Sequence, residues 1–527
     1  MKGLQHRRKG ADVPAGIAEA APVGVADASL ARVRLLVFWC GAVLMCLEIA
    51  GSRVLAPYFG NSVFVWGSLI TVFLAALACG NYSGGWLADR RPSLGVLTAI
   101  CLGVAVWLAG LSFAGRSVCQ ALVDSGLGNE SGPLVAALLL FLPPSVGLGA
   151  VPPFAVRLAA SSLETVGKVS GSLYALSTVG SIAGTVLTTF VLIPWVGVTP
   201  ILRGLGLSLL IAAAIARPRW TALAALVPVG GAAFFAASAA KPFPGERILF
   251  ARDTPYHDVS VSDHERGIRL LRFDRYVENM ILTAAPHASL LPYTNYFHLG
   301  LLARPRVESA LFIGAGGGVG PRTFEAHAPG MRIDVVDIDP AVLEAACKLF
   351  FLEPSPSMRL VAADGRRFLR QAAGRYDCVV LDAFTIGGRL PFHLCTREFF
   401  ELCRSRMADD GVFIMNINSA VEGRAAEIYR SVGATLAAVF PRLHVFVPGH
   451  ARSPAGAESR NVILLATASD RDMSPEDWAR AAEGYESASY VDPAVVREMV
   501  RDLVAPAPPI AAAVLTDDYC PIETMRF

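Results

Sequence analysis

Charge is what this chain of 527 residues has least of: Asp, Glu, Lys and Arg together make up 17% of it, against about 25% in an ordinary soluble domain. One soluble fold over the whole length is therefore excluded. The formal net charge is +2, and no basic block is long enough to line a nucleic-acid groove, so no nucleic-acid partner is expected. An apolar content of 54% excludes disorder and collagen-like structure for the bulk of the chain. No two of the ten cysteines form a CxxC pair, which leaves a zinc ribbon or a disulfide scaffold without support. The nine histidines include no HExxH, and GxxxxGK[ST] is absent, so neither a metal site nor a nucleotide-hydrolysing loop is expected.

The charges that do occur are unevenly spread. From Leu35 to Ala240 only 14 residues are charged, whereas 67 are charged after Ala240. Two classes of protein are joined. Residues 1–33 read as a flexible basic tail, with HRRK at His6–Lys9. Residues 34–240 read as a multi-pass membrane domain whose partner is the lipid bilayer. A hydrocarbon core takes about 20 helical residues, and seven apolar stretches meet that need, near 34–54, 64–86, 94–113, 133–155, 169–193, 201–216 and 220–238. Pro143, Pro144, Pro152 and Pro153 predict a kink in the fourth. Lys and Arg gather in the tail, in ADRRPS at Ala88–Ser93, between Arg157 and Lys168, and in ARPR at Ala216–Arg219, which puts the N-terminus in the cytoplasm. An odd span count then puts the C-terminal part outside, although a nucleotide-derived ligand argues for the cytoplasm. Glu48 and Arg53 near the end of the first span are expected to pair and tie it to the adjoining loop; a ligand or coupling site is the other reading. Gly167, Gly171, Gly180 and Gly184 give the fifth span a small-residue face for close helix packing.

After Ala240 the pattern changes. KPFPGER is a linker, and HDVSVSD and GIRLLRFD alternate as strands of a small β module over 241–300. An α/β domain occupies 301–527. Its first strand, SALFIG at Ser309–Gly314, runs into AGGGVG at Ala315–Gly320, and RIDVVDID follows as a second strand ending in acids. Gly314, Gly316, Gly317 and Gly318 let the backbone turn tightly and approach a ligand. Asp337 stands where an acid can accept from both hydroxyls of a ribose. Asp364 and Gly365 end a third strand, where the acid can accept from an adenine amino group, and Asp382 ends YDCVVL where reaction chemistry would sit. In a doubly wound sheet such strand ends face one crevice. The glycine spacing fits a methyltransferase-type crevice better than a dinucleotide one. His257 and His393 are read as structural, with a place in the pocket as the other reading.

These motifs resemble the spermidine synthase (polyamine aminopropyltransferase) family, in its bacterial membrane-fused branch. DTPYHDVSV, LRFDRYVEN, YTNYFHLG, AGGGVG, VVDID, ADGRRF and YDCVVLDAF stand in family order, and GSRVLAPYFG and LTDDYCPIE look like the membrane-fused branch. The resemblance implies a small β domain before a methyltransferase-like Rossmann domain. It also implies transfer of an aminopropyl group from decarboxylated S-adenosylmethionine to a small amine such as putrescine, with no metal. Asp337 would then hold the ribose and Asp364 the adenine, Asp382 would take the proton of the attacking amine, and Tyr256, Glu278 and His298 would face the acceptor. Val319 replaces an acid of the family's glycine turn, Thr385 replaces the second acid of its DxxD, and Glu278 replaces a glutamine. A methyltransferase-like enzyme using S-adenosylmethionine, or a non-catalytic transporter or sensor, are the alternatives. The expected place is the bacterial inner membrane, with the C-terminal domain cytoplasmic on functional grounds and a homodimer as an assembly open to it.

Overall fold

In hydrocarbon a backbone must satisfy its own hydrogen bonds, and a helix does so within one segment. In the computed structural model, which describes residues 27–60, 63–127, 130–160, 162, 164–217, 244–304, 306–385, 388–454, 456–485, 491–504 and 512–525, the apolar half is helical. Helix α1 (Asp27–Phe59) is followed by α2 (Val63–Arg90) and α3 (Leu94–Asp124). Prolines, lacking an amide donor, divide the next stretch into α4 (Gly132–Leu140), α5 (Leu142–Gly149) and α6 (Val151–Ala159), bent by 50° at the first break. Helix α7 (Val166–Leu187) runs on through a π-helical turn, and α8 (Ile193–Val196) and α9 (Val198–Ala216) complete the bundle. Five of these helices are long and apolar enough to cross a membrane, or six with the bent pair counted as one span. The expected seventh span, 220–238, and most of the basic tail lie outside the described residues.

Helix α1 packs tightly on α7 because both carry glycine at the crossing. A Cβ added to Gly180 would lie 2.1 Å from the Phe38 carbonyl oxygen, and one on Gly184 would lie 2.3 Å from that of Ala42. Gly167 and Gly171 face open space instead, so only half of the expected small-residue face is used. The other side of α7 exposes Val179, Ile182 and Val186. The expected Glu48–Arg53 pair is not formed. Arg53 instead extends from α1 to the β module, donating to the carbonyl oxygen of Thr254.

The β module is an antiparallel meander, β1 (Glu246–Asp253), β2 (Asp258–His264), β3 (Ile268–Phe273), β4 (Tyr276–Leu282) and β5 (Ala285–Ser289), paired in that order. Alternation buries Val259, Val261, Leu271 and Ile281, which join the core of the α/β domain. Seven strands build that domain: β6 (Ser309–Ile313), β7 (Arg332–Asp337), β8 (Met358–Ala362), β9 (Tyr376–Leu381), β10 (Met407–Ser419), β11 (Arg442–Phe446) and β12 (Arg460–Thr467). Their order is β11-β12-β10-β9-β6-β7-β8, parallel from β10 to β8, with β12 antiparallel to β10 and β11. The winding reverses between β6 and β9, the position where such sheets open a crevice at their carboxyl ends.

The β module docks on one end of the bundle. Asp253 accepts from the amide of Val198 at 2.8 Å and so caps α9 from another domain, and Arg275 lies over the Tyr58 ring, 5.4 Å from its centre.

Candidate active site

Four strand ends converge on a cavity of about 210 Å³ lined by Gly314, Asp337, Asp364 and Asp382. Gly314 makes the convergence possible. Its φ is +96°, and a Cβ would fall 2.1 Å from the carbonyl oxygen of Asp382, so only glycine lets the ends of β6 and β9 meet this closely. Gly316 and Gly365 also line the cavity. Gly317 and Gly318 do not. A Cβ on the first would press on Asn279 at 2.7 Å, and one on the second on Leu352 at 2.9 Å; these glycines serve packing beneath the turn.

Asp337 ends β7 with both oxygens engaged, Oδ2 accepting from the amide of Ala315 and Oδ1 from that of Asp339, each at 2.9 Å. The acid and the glycine turn thus fix each other. Burial pushes its carboxyl up to about 6, with the two amide bonds opposing. Asp364 caps the helix Gly365–Gln371 through the amide of Arg367. Its other oxygen lies 2.8 Å from Nε2 of His393, and this contact lowers its pKa below the usual carboxylate range. An adenine amino group would have to share that oxygen with the imidazole.

Asp382 is the buried acid at the centre. Asn416 Nδ2 donates to its Oδ1 at 3.0 Å, and the Tyr293 hydroxyl donates to its Oδ2 at 3.3 Å. Burial raises its carboxyl to about 6 against the pull of these two bonds. Glu278 enters the same cavity from β4. Burial, with repulsion from Asp382 and Asp274, pushes it up to about 8. A site with one carboxyl ionised near neutrality and a second largely protonated can take up an ammonium and accept a proton from it. Tyr256 lines the cavity as well.

His298 is not brought here. Its imidazole is fully buried, with Nδ1 2.7 Å from the hydroxyl of Tyr485 and Nε2 2.9 Å from that of Thr323. Burial drives it down to about 3, so it stays neutral. Its place is a structural tie between the 3-10 segment Pro292–His298 and the helix Val319–His327. Val319 is likewise buried in the core, while Thr385 lines the cavity and donates to the Arg389 carbonyl.

Tyr293 and Asn416 are site residues that sequence reasoning passed over, and for Arg53 a ligand site is only the second reading of the sequence. Asn416 left a signal, a lone amide inside the apolar strand GVFIMNI. Arg53 left one only as a charge in an apolar span. It lines this cavity and also a second one of about 250 Å³ between the bundle and the β module. Tyr256 and His257 are shared by both cavities. His257 stacks on Phe273 with ring centres 4.7 Å apart and has Nδ1 3.4 Å from Asp274. Among the described residues no group of three or more His, Cys, Asp or Glu side chains could hold a metal ion.

Residues 293–448 match the family model described as the spermine/spermidine synthase domain. The chain is 28% identical over 242 residues to a polyamine aminopropyltransferase of Vibrio vulnificus, covering 44% of this chain and 77% of that protein. It is 22% identical over 430 residues to polyamine aminopropyltransferase 2 of Aquifex aeolicus, covering 76% and 82% respectively. Among solved structures it is similar to a probable spermidine synthase from Corynebacterium glutamicum, at 19% identity and a TM-score of 0.39, over 52% of this chain and 98% of that one. The domain at 293–448, which holds Tyr293, the glycine turn and the acids of β7, β8 and β9, is thus the part of the chain that matches the spermine/spermidine synthase family, and this match places the protein among the transferases.

Proposed function

We propose that the protein is a membrane-bound aminopropyltransferase that uses decarboxylated S-adenosylmethionine and a small amine such as putrescine. The observation that carries this reading is the placement of Asp382, ionisable near neutrality and held by Tyr293 and Asn416, in one cavity with the ribose-position acid Asp337. A protonated amine has no lone pair with which to attack. Asp382 takes its proton, the nitrogen then bonds to the methylene beside the sulfonium, and the carbon–sulfur bond breaks. That bond's electron pair returns to sulfur and neutralises it, leaving a thioether nucleoside. Acids around the sulfonium stabilise its charge before transfer, and Glu278 offers the acceptor a second carboxyl.

The membrane reading rests on the five apolar helices and the bent pair. Their charge-poor, partly exposed faces suit lipid better than water. Calorimetric titration of the purified full chain with decarboxylated S-adenosylmethionine and with S-adenosylmethionine tests the co-substrate. Tight binding of the decarboxylated form, followed by formation of spermidine from putrescine detected by mass, is the expected result. Binding of S-adenosylmethionine alone would move the protein to methyl transfer. Binding of neither to the folded chain would end both enzyme readings.

A further inference from the structure

The catalytic domain is seated at a particular end of the helical bundle, and the loops of the two ends differ in charge. Arg53 near the end of α1, Ser112 and Arg116 in the second half of α3, and Val198 at the start of α9 all face the β module. The opposite end is marked by Arg217 after α9, which lies against Gly95 at the start of α3, and by the Asp89–Arg157 ion pair joining the ends of α2 and α6 at 3.3 Å. Helix α9 has 19 residues, so the two ends are separated by about 28 Å at 1.5 Å per residue.

Arg53, Arg116 and Arg203 lie within helices near the docking end, and the other Lys and Arg of the described bundle lie at the far end. Arg32 and Arg34 lie in the first turns of α1, Arg90 and Arg91 end and follow α2, Arg157 and Lys168 flank the α6–α7 connection, and Arg217 follows α9. The connections at the docking end, residues 60–62, 125–131 and Gly197, contain none. The chain leaves the bundle at the basic end and begins β1 at the docking end, where Glu246 lines the inter-domain cavity. Between them, residues 218–243 carry only Arg219 and Lys241 as charges. Basic connections are retained in the cytoplasm.

We infer that the catalytic domain lies on the non-cytoplasmic face of the membrane, at the end of the bundle opposite its basic connections. This goes beyond the proposed reaction and stands without it. Where that reaction also holds, both the sulfonium nucleoside and the acceptor reach the site from the non-cytoplasmic side.

Cysteine labelling of the full chain in intact cells tests the placement, using a membrane-impermeant maleimide and reading the increment over the wild-type chain. Glu483→Cys sits on an exposed position of the α/β domain, and Asp89→Cys at the basic end. The expected result is labelling of Glu483→Cys in intact cells and of Asp89→Cys only after permeabilisation. Protection of both would put the domain on the cytoplasmic side. Labelling of both, or of Asp89→Cys alone, would overturn the orientation. A phosphatase or a fluorescent protein fused after Phe527 gives the same readout without any substitution. Phosphatase activity with no fluorescence supports the inference, and the reverse pattern overturns it. Neither measurement depends on turnover, so an inactive protein that labels as expected would sink the proposed reaction and leave the orientation standing.

Discussion

Asp382 suits the proposed role of proton acceptor because burial and two donors act on it in opposite directions. Burial raises the carboxyl to about 6, while the bonds from Asn416 and Tyr293 pull it the other way. Replacing Asp382 by Asn removes the proton acceptor and keeps the shape. Turnover should fall by about 10²–10⁴-fold, the usual range for a general base, with co-substrate affinity largely unchanged in titration; unchanged turnover would remove the role. Glu278 makes a second, opposite prediction for stability. Its carboxyl stays protonated in the folded protein to about pH 8, whereas in the unfolded chain it ionises near 4.5. The folded state therefore loses stability as pH rises between these values. Glu278→Gln should melt at a higher temperature than the wild type at pH 8.5 and at the same temperature near pH 4. It should also weaken acceptor binding, seen as a raised KM for the amine. A melting difference independent of pH would show that Glu278 does not titrate as described.

At the scale of elements, a few glycines decide which helices and strands can touch. Gly180 sets the α1–α7 crossing, since any Cβ there meets a backbone oxygen that cannot swing aside. Gly180→Val should cost about 1–3 kcal/mol, as overpacking does, measured by thermal melting in detergent. Gly171→Ala, in open space on the same helix, should be neutral. The expectation of a four-glycine packing face was half right because hydropathy and residue size show which side of a helix is small, not how far along it a partner runs. The strands were more legible. Buried parallel strands read as unbroken apolar runs, and the acids that close them mark their carboxyl ends, which is why Asp337, Asp364 and Asp382 could be placed from the text of the chain.

For the whole molecule, the contact between bundle and β module fixes the active site from outside its own domain. Asp253 caps α9, and removing it by Asp253→Ala should cost about 1 kcal/mol, as a lost N-cap does. Faster hydrogen exchange at the first amides of α9, together with looser docking of the β module, is the expected readout. Exchange unchanged at those amides would mean that solvent replaces the cap at no cost. Arg53 belongs to the same contact. A residue near the end of the apolar helix α1 reaches the cavity in which transfer is proposed to occur, so the helical bundle and the α/β domain both line that cavity.

The shortage of charge set an apolar, helical part of the chain apart from a charged α/β part, and local patterns determined the helices, the alternating strands, the glycine turn and its acids. Such features depend on neighbours in sequence, where hydropathy and periodicity act. Tertiary structure alone decided what those patterns could not. It withdrew His298 into the core, carried Arg53 away from Glu48 and into the cavity, brought Tyr293 and Asn416 onto Asp382, and chose the end of the bundle on which the catalytic domain sits. Each of these rests on packing between segments distant in sequence, and the free energy that selects them belongs to the assembled core and not to any one stretch of chain.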